Sequence, residues 1–275
     1  MGSFWIRLYG AARRVVPNCV AQAQAVSFNM FLAAMPMLLI IMGVASYSAR
    51  LGEGFGEIMS RLVVVMPPGA HALVMRFVTA HSSHPWQWIS LGLGGTLLAG
   101  MQMMRLVIDG FHMMRGECEP HGAWGKQFRA LLLLLVTIAP WLLAANLLVF
   151  GKQARIWLID NSASPLLVRY LWVVLYIVVA LLMAMLAVAI IYRVGRPSGG
   201  GREPVLQGAA LATLLWWLVS AVFGFYMRHV PYSLVYGGLA VVIGLMLWMQ
   251  LTVTVLFLGA AFNIETAARR RVAAA

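Results

Sequence analysis

Acidic residues are scarce in this chain: eight in 275 positions, against 20 Lys and Arg. Only 10% of the residues are charged, where a soluble domain carries about 25%. A chain so poor in charge cannot cover itself with water-facing groups, which excludes an ordinary soluble fold. Cysteine is nearly missing as well. Cys19 and Cys118 stand alone, so a disulfide scaffold is excluded and no metal-ligand spacing is present. There is no glycine loop ending in Lys-Ser or Lys-Thr, so this chain carries no ATP-binding loop of its own. A serine-centred nucleophile elbow is absent too. The acids (Glu53, Glu57, Asp109, Glu117, Glu119, Asp160, Glu203 and Glu265) are scattered, unlike the clustered carboxylates of metal-dependent hydrolases. His81-Ser82-Ser83-His84 has no Cys, Asp or Glu beside it and reads as a loop rather than a metal site. These gaps predict no enzyme, no metal and no cofactor. No apolar core of signal-peptide length precedes Ala21-Gln22-Ala23-Gln24-Ala25, so a cleaved leader is not expected.

What the chain does have is hydrophobic sequence, at 62% of residues. Six stretches approach the ~20 apolar residues that span a bilayer as helix: 25–47, interrupted by Pro36; 88–108, rich in glycine; 130–150, with Pro140 inside; 171–192; 206–226; and 238–262. Backbone groups in lipid must be satisfied within their own segment, so all six read as helices. The expected fold is an all-α polytopic membrane bundle of six transmembrane helices, with amphipathic helices at the N-terminus and in the first outer loop. Residues 1–24 form the interfacial N-terminal segment, 25–264 the membrane domain, and 265–275 a basic tail. Between 48 and 87, Phe55, Ile58, Met59, Leu62, Val63 and Met66 recur at helical spacing before Pro67-Pro68-Gly69, which predicts a helical hairpin on the outer face. Trp5, Leu8, Tyr9, Ala12 and Val16 share a face of the N-terminal helix, as in helices that rest on a membrane surface.

The positive charge falls in short clusters between the apolar runs. Arg7, Arg13, Arg14, Arg115, Lys126, Arg129, Arg193, Arg196, Arg202, Arg269, Arg270 and Arg271 would share one side. Arg50, Arg61, Arg76, Lys152, Arg155, Arg169 and Arg228 would share the other. The richer side is expected to be cytoplasmic, with both termini there. This distribution points to membrane threading rather than to a nucleic-acid partner.

Several stretches, in order, carry a resemblance. They are Ala25-Val26-Ser27-Phe28-Asn29 with Ala34-Met35-Pro36; Tyr192-Arg193 followed by Pro197; and Gly208-Ala209 with Trp216. Further on come Tyr232 with Tyr236-Gly237-Gly238-Leu239-Ala240, Leu247-Trp248, and Gly259-Ala260 through Asn263. The set resembles the YihY/BrkB family of bacterial inner-membrane proteins, from about residue 20 to 265. The chain departs from that pattern at three places. Asn29 stands where the family often has Tyr, Gly238 where it has Ser, and Ala261 where it often has Glu. The resemblance implies a six-helix inner-membrane protein. The family carries virulence and old ribonuclease labels, and transport of envelope lipids has been suggested for it.

Polar groups within apolar spans are the candidate working parts. Asn29, Gln102, Arg105, Asp109, Asn146 and Gln250 fall inside or at the ends of predicted spans, where lipid offers them no partners. Arg105 and Asp109 lie four apart and so share a helix face, fit either for an ion pair gating an inner cavity or for a structural pair. Gly92, Thr96 and Gly100 make a small-residue strip for close helix approach. The expected function is a transporter without ATPase activity, or a lipid-handling protein of the cell envelope. Its partners would be membrane lipids or another amphiphile, and oligomerisation is left open. The alternatives are a non-transporting scaffold and, last, a membrane-associated ribonuclease.

Overall fold

A computed structural model describes residues 2–51, 85–116, 124–140, 143, 165–195, 205–229 and 238–274, and among these every regular element is helical. In chain order they are α1 (Gly2–Leu51), α2 (Pro85–Arg115), α3 (124–140), α4 (Pro165–Val194), α5 (Val205–His229) and α6 (Gly238–Ala274). Five apolar stretches within α1, α2, α4, α5 and α6 are long enough to cross a bilayer: Cys19–Val44, Trp86–Arg115, Tyr170–Val194, Val205–Tyr226 and Val242–Arg270. Large apolar side chains such as Leu91, Leu98, Val174, Leu214 and Phe225 point outward on these helices. In water that would be prohibitive; in lipid it is the stable arrangement, because each helix satisfies its own backbone. The chain is a multi-pass membrane protein. The remaining expected span, 130–150, begins in α3, and apart from residue 143 its remainder lies outside the described residues. So do the bulk of the outer hairpin, Cys118, Asn146, Pro197, Tyr232, Tyr236 and Gly237.

Two expectations change. Pro36 does not interrupt the first helix, and the N-terminal amphipathic stretch is not a separate element. Both belong to α1, which runs unbroken for 50 residues, about 75 Å at 1.5 Å per residue. Ala11, Val15, Cys19 and Ala23 recur every fourth residue and are buried. That small-residue stripe seats the N-terminal part of α1 in the bundle core beside α6. The expected apolar face survives in part, since Trp5 and Tyr9 remain well exposed.

α1 also packs along α2, and α5 packs on both α4 and α6. Close approach of α1 and α2 depends on glycine. A Cβ at Gly92 would lie 2.8 Å from the Pro36 carbonyl oxygen, and one at Gly95 would lie 2.8 Å from the Pro36 Cβ. Gly100, the last member of the strip noted in the sequence, faces Leu134 of α3 instead. The core gathers around Phe257, Val26, Phe111 and Tyr192. Phe111 meets the rings of both Tyr192 and Phe257 edge-on.

Candidate functional site

At the end of the bundle where Val205 begins α5, α5 and α6 cross with glycine against glycine. A Cβ on Gly208 would run into the Gly259 carbonyl, and a Cβ on Gly259 would lie 2.6 Å from the Gly208 carbonyl. Close contact there brings Asn263 onto the opening turn of α5, where backbone donors are least well supplied from within the helix. The Gly208 N–H donates to Asn263 Oδ1 at 2.7 Å, and Asn263 Nδ2 donates to the Val205 carbonyl at 3.3 Å. Tyr192 of α4 closes the knot: its hydroxyl donates to the Leu256 carbonyl at 2.6 Å. Four of the residues carrying the sequence resemblance (Tyr192, Gly208, Gly259 and Asn263) thus meet in one place. Arg193, beside them in sequence, points outward.

Other polar contacts gather at this same end. Arg14 of α1 bonds Glu265 of α6 through Nη2 at 2.6 Å and reaches the Met114 carbonyl of α2 at 3.2 Å. Arg129 of α3 donates to the Val194 carbonyl of α4 at 2.9 Å. Together these contacts form a belt that ties the six described helices at one end.

Above the knot lies a partly open cavity of about 280 Å³. Its wall is built by α1 (Val26, Met30), α2 (Met103, Met104, Val107), α3 (Thr137), α4 (Ala184, Ala187, Val188, Ile191), α5 (Ala212, Thr213, Trp216) and α6 (Trp248, Thr252, Val253, Val255, Leu256). Small residues on α4 stand among tryptophans and methionines, and the mismatch in volume leaves the space. Ala212 to Trp216 lie about 10 to 17 Å along α5 from Val205, so the cavity sits at membrane depth. Its wall is almost wholly apolar. Trp248 turns its indole N–H to Ser220 at 3.2 Å. Thr137 and Thr252 return their hydroxyls to the Leu133 and Trp248 carbonyls, at 2.6 and 2.9 Å. The Thr213 hydroxyl is buried and has no hydrogen-bond partner among the described residues.

The polar residues singled out in the sequence lie elsewhere. Asn29 donates to the Ala25 carbonyl of its own helix at 2.9 Å, and Gln102 is exposed. Gln250 is half-buried. None of the three, nor Arg105 or Asp109, is in the cavity wall. Arg105 and Asp109 share a face as expected, but each turns to α3 rather than to the other. Arg105 Nη1 donates to Gln127 Oε1 at 3.3 Å, and Lys126 lies 4.0 Å from Asp109. With 3.6 residues per turn, that face lies roughly 150° around α2 from Met103, Met104 and Val107. The charged cluster and the cavity therefore occupy opposite sides of one helix.

Three polar contributors were missed in the sequence. Gln22 crosses from α1 to donate to the Leu106 carbonyl of α2 at 2.8 Å; its place among alanines at 21, 23 and 25 was the available signal. His112 is buried, with Nδ1 2.9 Å from the Ile108 carbonyl and Nε2 unpartnered; it continues the Arg105–Ile108 face. Thr213 gave no signal, because one threonine in an apolar run is ordinary.

The family described as Virulence factor BrkB matches residues 16–275. A Bacillus subtilis (strain 168) protein described as ribonuclease-like, YfkH, is similar to this chain, with 23% identity over 185 residues, 67% of each. No solved structure matches the chain.

Proposed function

The chain belongs to the BrkB virulence-factor family, and on that premise we propose that it is a lipid-handling protein of the bacterial inner membrane, working without its own ATPase and with both termini in the cytoplasm. The apolar cavity carries this reading. A polar solute or an ion crossing the bundle needs convergent polar groups, and this wall supplies methionine, alanine, valine and tryptophan. A hydrocarbon chain needs only an apolar space, and about 280 Å³ is close to the lower bound of small-molecule sites. Methionine, which is flexible and polarizable, suits a wall that must adapt to a chain without fixed shape.

The test is lipid movement in vesicles. Purified protein, reconstituted with fluorescent phosphatidylglycerol, should accelerate its exchange between leaflets. Ala187→Trp, which fills the cavity, should remove that acceleration while the protein still inserts. Folded wild-type protein that leaves lipid exchange unchanged would overturn the transport reading. Reporter tags on the two termini, both read in the cytoplasm, are the expected outcome for the threading.

A second reading, a non-transporting scaffold, has one observation in its favour. Asn29 bonds its own helix, while Gln22 and Arg105 bond neighbouring ones, which is what polar groups serving only as glue would do. The ribonuclease-like name of the Bacillus relative supports a third reading, placed last. Both described acids, Asp109 and Glu265, face cations, Lys126 and Arg14.

A further inference from the structure

Three threonines line the cavity, and they do not behave alike. Thr137 and Thr252 each return the hydroxyl proton to the carbonyl four residues back, the usual fate of a threonine in a membrane helix. Thr213 does not. It is 4% exposed, and its hydroxyl has no partner among the described residues. A buried hydroxyl without a hydrogen bond is costly and calls for a physical explanation; Thr213 is set apart from the other such groups by lining the cavity.

Water is the weaker candidate for that partner. A buried water is held by two to four polar groups; here the Thr137 and Thr252 protons and the Trp248 N–H are already donated elsewhere, which leaves only threonine lone pairs to hold it beside Thr213. One free donor in an apolar wall matches a ligand with one acceptor on an apolar body. We infer that the cavity binds a single acyl chain whose carbonyl oxygen accepts a hydrogen bond from Thr213. The ester of a glycerophospholipid and the acid of a free fatty acid share this chemistry. This site rests on the lipid-handling reading and names its ligand class.

The depth fits an acyl group drawn inward. α5 is 25 residues long, about 37 Å, so it outreaches a ~30 Å hydrocarbon core by a few ångströms at each end. Thr213 is about 12 Å along the helix from Val205, which places it several ångströms inside the core boundary. A lipid whose carbonyl reaches Thr213 is displaced from its resting depth toward the bilayer centre.

The experiment uses full-length protein in detergent micelles with a photoreactive, carbonyl-labelled palmitate. The probe is supplied in one arm as the free acid and in the other as the acyl chain of phosphatidylglycerol. Crosslinks to Met103 or Trp216 are expected in wild type and in Thr213→Ser. Thr213→Val, which keeps shape but removes the hydroxyl, should bind about 3- to 10-fold more weakly, the range for one hydrogen bond. Ala184→Phe should abolish labelling. Isotope-edited infrared spectra should show the carbonyl band lowered in wild type and Thr213→Ser, and unshifted in Thr213→Val. Labelling by one arm alone identifies the source and supports the shared chemistry. An unshifted band in wild type, or equal binding by Thr213→Val, overturns the Thr213 contact. Labelling that survives Ala184→Phe overturns the cavity as the site. Lost lipid exchange with intact binding would sink the transport reading and leave this one standing.

Discussion

Gly208→Ala is the most informative single substitution in this protein. The added Cβ would meet the Gly259 carbonyl and the Asn263 amide, both at less than contact distance. The first is backbone and the second is tethered by two hydrogen bonds, so the helices themselves have to part by close to an ångström. The Gly208–Asn263 bond, now 2.7 Å, would then stretch beyond the range of a hydrogen bond. Overpacking of this kind costs about 1 to 3 kcal/mol, and a buried amide left unpaired adds about 1 to 3 kcal/mol. The better helix propensity of alanine returns at most ~1 kcal/mol. A net loss of roughly 1 to 5 kcal/mol is expected from these terms. Gly224→Ala on the same helix is the matched control, because its Cβ would meet nothing within 4 Å; it should be neutral or slightly stabilising. Reversible unfolding in mixed micelles reads both. If Gly208→Ala proves as stable as Gly224→Ala, the glycine crossing does not hold α5 and α6 together and the account of the knot fails.

Asn263→Ala should cost about 2 kcal/mol by stranding the Gly208 N–H, and hydrogen exchange at the start of α5 should rise with it. For Arg14 and Glu265, a double-mutant cycle should give a coupling of about 0.5 to 1 kcal/mol that shrinks with salt, because the pair is only part-buried. Trp248→Phe and Ser220→Ala should each lose about 1 kcal/mol, and the double variant little more than either, since both remove one bond. Xenon, which enters dry apolar cavities, should bind the wild-type protein in detergent and be displaced by a saturating fatty acid.

Much of the architecture was legible because membrane helices announce themselves by length and apolarity. The spans predicted at 171–192 and 206–226 fall within α4 and α5. The residues carrying the family resemblance proved informative about packing: Tyr192, Gly208, Gly259 and Asn263 meet, and Trp216 and Trp248 line the cavity. The site itself was not legible. Polar residues within apolar spans stand out in a sequence as candidates for function, yet a helix gives a polar residue in lipid a ready acceptor in its own carbonyls, as with Asn29 and Ala25. Sharing a face did not make Arg105 and Asp109 partners, because α3 brought Gln127 and Lys126 within reach. A cavity made by alanines opposite tryptophans leaves no mark in composition, since both belong in any apolar run. The unbroken course of α1 was hidden for a similar reason. Proline breaks helices in water, but in a bundle close packing on Gly92 and Gly95 accommodates Pro36.

The belt of contacts linking Arg14, Met114, Glu265, Arg129, Val194, Tyr192, Leu256, Val205, Gly208 and Asn263 has a mechanical corollary. Rods fastened together at one tip can fan apart only at the other, like the ribs of a folding fan. A rotation of 5° about the fastened tip would shift a point ~30 Å away, across the hydrocarbon thickness, by roughly 2 to 3 Å. Spin labels placed in pairs along α4 and α5 should therefore report distance spreads that widen steadily away from Val205.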